Sequence, residues 1–251
     1  MHSMTDGCVV VTGASRGIGA AIAAELANNG FQVACLSRSG DLPVEESLTG
    51  EVRARMFAVA CDITDQASLK AAFDTVATST ERPIVGLVNN AGVHLQGKSA
   101  SFPLADYERV MTTNATSVLS ASQVAHPFLV AAGSALIVNI GSFFDKLGVK
   151  GNVAYCASKA AVGAITRCLA VEWASAGIRV LNVAPGYIET DLNREELNSG
   201  PLHAFLEKRI PTGGPGNAQE IAGLVTMLFQ LPGHFLTGET LYIDGGQGMA
   251  L

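Results

Sequence analysis

The sequence predicts an α/β protein, a doubly wound three-layer sandwich around a parallel sheet of about seven strands. Short apolar runs alternate with helix-forming segments along the chain, which is the order that a parallel sheet requires. Several runs, such as 8–12 and 135–140, are almost continuously apolar, as in strands buried on both faces. The predicted strands are 8–12, 32–36, 55–60, 84–88, 135–140, 179–183 and 240–243.

Longer segments with helical periodicity separate these strands. No linker or repeat interrupts the alternation, so we expect residues 1–251 to form a single domain. The turn-rich stretch 198–216 contains a short predicted helix at 202–208, and we interpret residues 191–216 as an inserted lid over a site. The other predicted helices are 17–29, 66–77, 105–130, 152–176 and 217–231.

The composition argues against several classes of protein. With 48% hydrophobic and 15% charged residues, the chain is too apolar for an intrinsically disordered protein. The formal net charge is −6 and no cluster of Lys and Arg stands out, which argues against nucleic-acid binding. Residues 110–144 contain no charged side chain, but Asn114, Gln123 and Asn139 lie among them. We interpret this stretch as a buried helix and strand, and expect no membrane span.

The cysteines indicate a reducing compartment. The chain has five, an odd number, and no pair has the CxxC spacing. No histidine lies at the spacing of a zinc site, so we expect no metal. Residues 1–7 lack the basic and apolar regions of a secretory signal. We therefore expect free thiols and a cytoplasmic protein.

A glycine-rich turn, TGASRGIG at residues 12–19, follows the first predicted strand and leads into an Ala-rich helix. Gly13 allows the tight turn, Gly17 lets the backbone approach a pyrophosphate, and Gly19 lets the helix pack closely on the sheet. The N-terminus of the helix adds N–H groups and a positive dipole end. The turn predicts a dinucleotide site, although any tight turn between a strand and a helix favours glycine.

Three further motifs accompany this turn: NNAG at 89–92, a serine at 142 just past the fifth strand, and YCASK at 155–159. Together with the G-x-x-x-G-x-G spacing they resemble the short-chain dehydrogenase/reductase family, most closely its 3-oxoacyl-reductase-like members, over residues 7–246. The resemblance implies a Rossmann-like fold and a nicotinamide cofactor. The residues it assigns to the cofactor are Gly13, Ser15, Arg16, Ile18, Gly19, Asp62, Ile63, Asn89, Ala91, Gly92, Tyr155, Lys159, Pro185, Ile188 and Thr190.

The resemblance also gives some of these residues particular roles. Asp62 would bind the adenine amino group, although an Asx-turn or a helix cap explains it equally well. Asn89 would support the sheet, and Ala91 and Gly92 would leave room for a ribose, where the alternative is an ordinary polar turn. The loop from Pro185 to Thr190 would close over the nicotinamide.

The end of the second strand favours NADP(H) over NAD(H). Dinucleotide folds that use NAD place an acidic residue there, whereas Arg38 occupies this position. Arg16 in the glycine turn and the hydroxyls of Ser37 and Ser39 would complete a site for the 2′-phosphate. The alternative is that both arginines are solvated, and the nearby Asp41 complicates the charge balance.

Tyr155 and Lys159 predict an acid–base site. They lie four residues apart on a predicted helix and therefore share one face. An ammonium and a positive nicotinamide near the phenol would lower its pKa from about 10, so that Tyr155 exchanges a proton with a carbonyl or alcohol oxygen. Lys159 would also hold the nicotinamide ribose, according to the resemblance.

The resemblance completes a catalytic tetrad with Ser142 and Asn114. The Ser142 hydroxyl would hold the substrate oxygen near Tyr155, where the alternative is a turn residue at the end of a strand. Asn114 lies in the middle of the helix 105–130, where asparagine is unfavourable. Its family role is a local break that holds a water for proton relay to Lys159, and the alternative is a tolerated polar residue.

The substrate pocket is the least defined part of the prediction. We place it among 94–97, 143–153, Tyr187 and 191–210, with Phe143 and Phe144 as an aromatic wall, or as core under the lid. The 3-oxoacyl carrier-protein reductases carry basic docking residues that segments 131–134 and 174–177 lack here. This departure favours a small free carbonyl or alcohol as substrate.

The expected function is therefore an NADP(H)-dependent oxidoreductase that transfers hydride between the nicotinamide and a small ketone or secondary alcohol. In other words, we expect a carbonyl reductase or alcohol dehydrogenase. A 3-oxoacyl-(acyl carrier protein or CoA) reductase and a non-catalytic nucleotide-binding redox sensor remain alternatives. The resemblance also implies a homotetramer, in which helices 105–130 and 152–176 pair between subunits.

Overall fold

A computed structural model of the chain describes residues 4–43, 48–190, 197 and 199–249. Its main feature is a seven-stranded parallel sheet, as the sequence predicts, and the strand order is β3-β2-β1-β4-β5-β6-β9. The strands of this sheet are β1 Cys8–Thr12, β2 Gln32–Ser37, β3 Met56–Ala60, β4 Ile84–Asn89, β5 Ala135–Ile140, β6 Ile178–Pro185 and β9 Thr240–Ile243. Two short strands, β7 Ile188–Glu189 and β8 Gly216–Asn217, pair separately.

Helices cover both faces of the sheet. They are α1 Gly17–Asn28, α2 Gly50–Arg53, α3 Gln66–Ser79, α4 Leu104–Met111, α5 Ser117–Ala132, α6 Val153–Trp173, α7 Gly200–Arg209 and α8 Ala218–Gln230. None of the helices among the described residues combines the length and apolarity that a membrane crossing requires.

The apolar strand residues fill two cores, one on each face. Consecutive side chains of β1 alternate between them, so that Val9 packs under α1 and α8 whereas Val10 packs under α3, α5 and α6. In the first core the rings of Phe31 and Phe229 meet edge to face, with centroids 5.9 Å apart. In the second, Phe73 and Phe128 stack at the same separation. The strands read as continuous apolar runs because both faces are buried.

The strand order determines where ligands bind. The chain runs from β1 outward to β3 and then returns to place β4 on the other side of β1. At such a reversal the loops after the two central strands turn in opposite directions and leave a crevice at their carboxyl ends. The glycine turn after β1 and the NNAG segment after β4 both lie at this crevice.

The predicted helix 105–130 is interrupted by a π-helical turn. Helix α4 ends at Met111, Thr112–Thr116 form the π-helical turn, and α5 begins at Ser117. Asn114 lies inside this turn and is almost completely buried. A π-turn inserts one extra residue into the helical ladder, and such turns often mark functional sites. The prediction of a local break at Asn114 therefore agrees with the backbone.

Helix α7 forms where the short helix 202–208 was predicted. Its Leu206 packs with Leu197 and Ile210 in a small apolar cluster, against which Tyr187 and Leu202 lie. Residues 191–196 and 198 of the predicted lid lie outside the described residues, so the lid at 191–216 and the single-domain assignment remain predictions.

The tight packing of β4 against α8 can be tested at Gly86. A Cβ atom at this position would overlap the ring of Phe229. We expect Gly86→Ala to lower the free energy of unfolding by about 1–3 kcal/mol, because the close-packed core must shift. Gly223→Ala is the matched control, since Gly223 is exposed on α8 with open space around its Cβ. There alanine should raise the free energy of unfolding by up to about 1 kcal/mol. Urea titration measures both variants, and equal effects would contradict the contact.

Candidate active site

Two adjoining cavities lie at the carboxyl ends of the central strands. The first has a volume of about 730 Å³ and is lined by the glycine turn and the ends of β2 and β3. The second has a volume of about 630 Å³ and is lined by the ends of β5 and β6 and the start of α6. Both are lined by Ile18, Asn90, Gly92, Val93 and Thr190, so they form one cleft.

A hydrogen-bond network fixes the glycine turn to the end of β4. The Asn90 side-chain amide donates to the carbonyl oxygens of Thr12 and Gly13, at 3.0 and 3.2 Å. The Thr12 hydroxyl accepts from the N–H groups of Asn90 and Ala91 and donates to the carbonyl of Val88. The sequence analysis gave Asn90 no role. The intact NNAG motif was the available signal, but the motif does not reveal a partner 78 residues away.

The structure gives each glycine of the turn a reason to lack a side chain. Gly13 and Gly17 have φ values of +64° and +59°, in the left-handed region that favours glycine. A Cβ atom on Gly19 would overlap the Gly13 carbonyl and the Asn90 amide. The start of α1 therefore packs closely on the turn, and Gly19 acts through this packing without itself lining either cavity.

The first cavity brings together most of the residues assigned to the cofactor. It also includes Glu108, Arg109, Thr112 and Thr113, which the sequence analysis did not predict. They belong to α4 and the π-turn, and only the tertiary structure places them beside the glycine turn. The predicted residues that line this cavity are Gly13, Ser15, Arg16, Ile18, Ser37, Arg38, Asp62, Ile63, Ala91, Gly92 and Thr190.

Two exposed guanidinium groups, those of Arg16 and Arg38, line the first cavity. Arg38 directly follows the last residue of β2, where an acidic residue would bind a ribose 2′-hydroxyl. The neighbouring Ser37 hydroxyl accepts from the Gly40 N–H at 3.1 Å and lies 3.3 Å from the Ser39 hydroxyl. Two cationic groups thus line this cavity near the Ser37 and Ser39 hydroxyls, and such a set of donors suits a phosphate group.

Asp62 forms the turn that was given as the alternative to its cofactor role. Its carboxylate accepts from the hydroxyl and the N–H of Thr64, at 2.7 and 2.9 Å. These hydrogen bonds hold the pKa of Asp62 below its usual value, and the charge of Arg38 adds to the effect. The cap of α3 is Asp65, which accepts from the Ala67 N–H. Asp62 still lines the cavity, so the turn and the cofactor contact are compatible.

Asn89 supports the sheet and is not a wall of the cleft, which corrects its assignment to the cofactor. Its buried amide donates to the Asn139 side chain at 2.9 Å and to the Ser122 hydroxyl at 3.2 Å. Asn139 in turn donates to Thr166 on α6. The side chain faces the α5–α6 side of the sheet because it ends β4, one residue before the chain turns into the cleft.

The second cavity brings together Ser142, Tyr155 and Lys159. Tyr155 and Lys159 lie one turn apart on α6, with the ammonium 5.6 Å from the centre of the Tyr155 ring. Lys159 donates to the Ile140 carbonyl at 2.8 Å, and Ser142 lies close enough to the Tyr155 phenol to affect its pKa. The nicotinamide loop lines the same cavity through Pro185, Gly186, Tyr187, Ile188 and Thr190, as predicted for Pro185, Ile188 and Thr190.

Burial shifts both titratable groups toward their neutral forms. It lowers the pKa of Lys159 to about 8, since the ammonium is removed from water. It raises the pKa of Tyr155 to about 12, and the hydrogen bond from Ser142 offsets only part of this rise. The sequence analysis expected a lowered pKa of Tyr155, which is wrong for the protein alone because desolvation outweighs the stabilisation of the phenolate. Tyr155 is therefore a phenol, the form that donates a proton.

The side chain of Asn114 hydrogen-bonds the π-turn to the NNAG segment and to α6. Its Oδ1 accepts from the Val93 N–H, and its Nδ2 donates to the Val93 carbonyl, both at 2.8 Å. Nδ2 also donates to the Ser158 hydroxyl on α6, at 3.1 Å. The side chain thus aligns the NNAG segment with the helix that carries Tyr155. The water relay to Lys159 remains a prediction.

Aromatic rings line the substrate side of the second cavity. Phe143 and Phe144 contact each other, with centroids 4.7 Å apart, and both contact Tyr187. Phe144 also meets the ring of Tyr155 at 5.9 Å. All three predicted pocket residues therefore line the cavity that contains Tyr155. His94 lines the cavity too, and sequence reasoning gave it no individual role.

Sequence comparison agrees with this geometry. The model of a protein family described as Enoyl-(Acyl carrier protein) reductase matches residues 13–247. The chain belongs to the short-chain dehydrogenase/reductase family. It is accordingly an oxidoreductase of a family that binds nicotinamide cofactors.

Similar members of the short-chain dehydrogenase/reductase family act on varied substrates. A tropinone reductase homolog from Arabidopsis thaliana is 35% identical over 97% of this chain and 90% of its own. A D-threitol dehydrogenase from Mycolicibacterium smegmatis is 35% identical over 96% and 93%. The crystal structure of a gluconate 5-dehydrogenase from Burkholderia cenocepacia, in complex with NADP and tartrate, has a TM-score of 0.87 at 30% identity and full coverage of both chains.

The buried state of Lys159 predicts a pH dependence of stability. Between pH 8 and about 10.5 the unfolded chain retains the Lys159 proton that the folded chain releases. The free energy of unfolding therefore gains from Lys159 as the pH rises through this window, by on the order of 2 kcal/mol. Lys159→Met removes this gain. We expect its free energy of unfolding, relative to wild type, to be higher at pH 7 than at pH 9.5 in urea titrations. A difference that is independent of pH would contradict the shifted pKa.

Proposed function

We propose that the protein is an NADP(H)-dependent reductase of small ketones, or in the reverse direction a dehydrogenase of secondary alcohols. The observation that carries the proposal is the convergence of Ser142, Tyr155 and Lys159 on one cavity. This cavity adjoins the one that holds Arg16 and Arg38. A nucleotide that lies along the cleft would meet the reacting groups at one end and the two guanidiniums at the other.

Each of the three polar residues in the second cavity has a separate role in the proposed reduction. Bound NADPH would supply the hydride, which is the part that the cofactor contributes. Ser142 holds the substrate oxygen near the phenol, and Tyr155 donates a proton to that oxygen as it gains charge. Lys159, anchored to the Ile140 carbonyl, places a cation behind the phenol and stabilises the phenolate that remains.

Three finer expectations belong to the same proposal. The five cysteines all lie within the described residues and are free thiols, which supports a cytoplasmic location.

Val130 on α5 and Val171 on α6 are 42% and 81% exposed on the helices expected to pair between subunits. A second copy of the chain would cover them in a homotetramer, and light scattering would measure its mass. The partly described segment 191–216 would act as the lid.

Replacement of the proton donor provides the first test of the reaction. We expect Tyr155→Phe to lower kcat for ketone reduction by a factor of about 10²–10⁴, since general acid catalysis is lost while the ring is retained. The measurement is the optical rate of NADPH oxidation with a panel of ketones, diketones and 3-oxoacyl thioesters. The affinity for NADPH, measured by fluorescence, should remain close to that of wild type.

Three results would change the proposal in different ways. Turnover by Tyr155→Phe at the wild-type rate would remove Tyr155 from the chemistry. A best rate with carrier-linked 3-oxoacyl substrates would replace the small ketone with the 3-oxoacyl reductase alternative. NADPH binding by wild type without turnover of any compound would favour the redox sensor.

Replacement of Arg38 tests the choice of cofactor. We expect Arg38→Ala to raise the Kd of NADPH about tenfold or more, because a charge-assisted hydrogen bond to the 2′-phosphate is lost. The Kd of NADH, which lacks this phosphate, should change little. Arg53→Ala is the matched control, an exposed arginine on α2 away from the cleft. Equal weakening of both cofactors would contradict the role of Arg38.

A further inference from the structure

The ring of Tyr155 contacts two different side chains. The ring of Phe144 meets it at a centroid distance of 5.9 Å, in a T-shaped contact. The imidazole of His94 lies closer, with ring centroids 4.5 Å apart and a tilt of 47°. Both neighbours line the second cavity. A substrate bound at Tyr155 would therefore have both an apolar ring and a hydrogen-bonding ring within reach.

The backbone that carries His94 is held at both ends. On one side, the N–H and carbonyl of Val93 are both hydrogen-bonded to the Asn114 amide. On the other side, the Gly97 N–H donates to the Gly151 carbonyl at 2.9 Å, in the turn that precedes α6. His94 is thus presented to the cavity from a fixed segment, as a group that selects a substrate must be.

A hydrogen-bond chain determines which nitrogen of His94 carries the proton. The Nδ2 of the buried Asn152 donates to the Lys150 carbonyl at 3.0 Å, which leaves its Oδ1 as the atom that meets His94 Nε2. Since an amide oxygen only accepts, Nε2 is the protonated nitrogen. The second nitrogen, Nδ1, is then an acceptor in the neutral ring.

We propose that His94 is a specificity-determining residue that accepts a hydrogen bond from a hydroxyl next to the reacting carbon. The substrates selected are vicinal hydroxyketones, or vicinal diols in the reverse direction, with an apolar substituent that contacts Phe143 and Phe144. The inference rests on the proposed ketone reduction and adds the substrate class. During reduction the carbonyl carbon gains hydride, its oxygen takes the proton of Tyr155, and His94 keeps its own proton.

Geometry and charge both favour a hydroxyl at this position. Because the His94 and Tyr155 rings lie 4.5 Å apart, a substrate whose reacting oxygen bonds the phenol would bring the oxygen on its adjacent carbon within reach of the imidazole. Within the described part of the lining, Lys159 is the one Lys, Arg, Asp or Glu, and its ammonium donates to the Ile140 carbonyl. A neutral hydroxyl suits this surface better than a carboxylate, which would need a paired cation.

The test compares two ketones that differ by one hydroxyl, 1-hydroxy-1-phenylpropan-2-one and 1-phenylpropan-2-one. Wild type should reduce the hydroxyketone with a kcat/KM about tenfold or more above that of the plain ketone, as expected where a site pairs with a substrate hydroxyl. In His94→Phe, which keeps an aromatic ring against Tyr155, the ratio should fall to about 1. His94→Gln retains a donor for Asn152 and an acceptor for the substrate, and should restore part of the preference.

His126→Phe is the matched control, because His126 contacts Trp173 on the outer side of α5, away from the cleft. It should leave the ratio at the wild-type value. A wild-type ratio near 1, or an equal loss on both ketones in His94→Phe, would overturn the inference while ketone reduction stands. If wild type binds NADPH but reduces neither these ketones nor any other in the panel, the proposed function fails, and the substrate class fails with it.

Discussion

The hydrogen bonds that join the ends of β1 and β4 hold the centre of the cleft, where the two cavities meet. Thr12 and Asn90 exchange side-chain and backbone contacts across these strands, and the same amide holds the carbonyl of Gly13. The glycine turn and the segment that leads to the second cavity are therefore joined directly. Buried polar networks of this kind are costly when incomplete, so their full pairing favours a single arrangement of the site.

The hydrogen bonds of Asn114 connect this network to the helix that carries Tyr155. Asn114 bonds both backbone groups of Val93 and also reaches Ser158, three residues after Tyr155. Asparagine is unfavourable in the middle of a helix. Here Asn114 lies in a π-turn, where its side-chain amide is free to bond to groups outside the helix. The local widening of the helix lets one amide meet two other elements at once. Such conflicts between local preference and observed structure are expected at functional sites.

The alternation of apolar runs was sufficient to predict the sheet, since continuous strands and periodic helices are local properties of the chain. The motifs, taken with the family resemblance, likewise led to the lining of both cavities. What could not be predicted depends on contacts between distant residues. Asn89 faces the sheet whereas Asn90 faces the cleft, a difference that the tetrapeptide does not show. The raised pKa of Tyr155 and the contact of His94 with Asn152 follow from burial and packing that appear only in the folded protein.

Most residues of the cleft line only one of its two cavities, and this division affects how cofactor and substrate preference can change in evolution. Among the described residues, five line both cavities, and the others belong to one side or the other. Arg16 and Arg38 line only the first cavity, whereas His94 and the rings of Phe143, Phe144 and Tyr187 line only the second. Changes on one side therefore leave the other undisturbed, since substitutions without shared partners act additively. Substitutions near Arg16 and Arg38 can therefore change the choice of nucleotide without changing the choice of substrate, and substitutions in the second cavity can do the reverse.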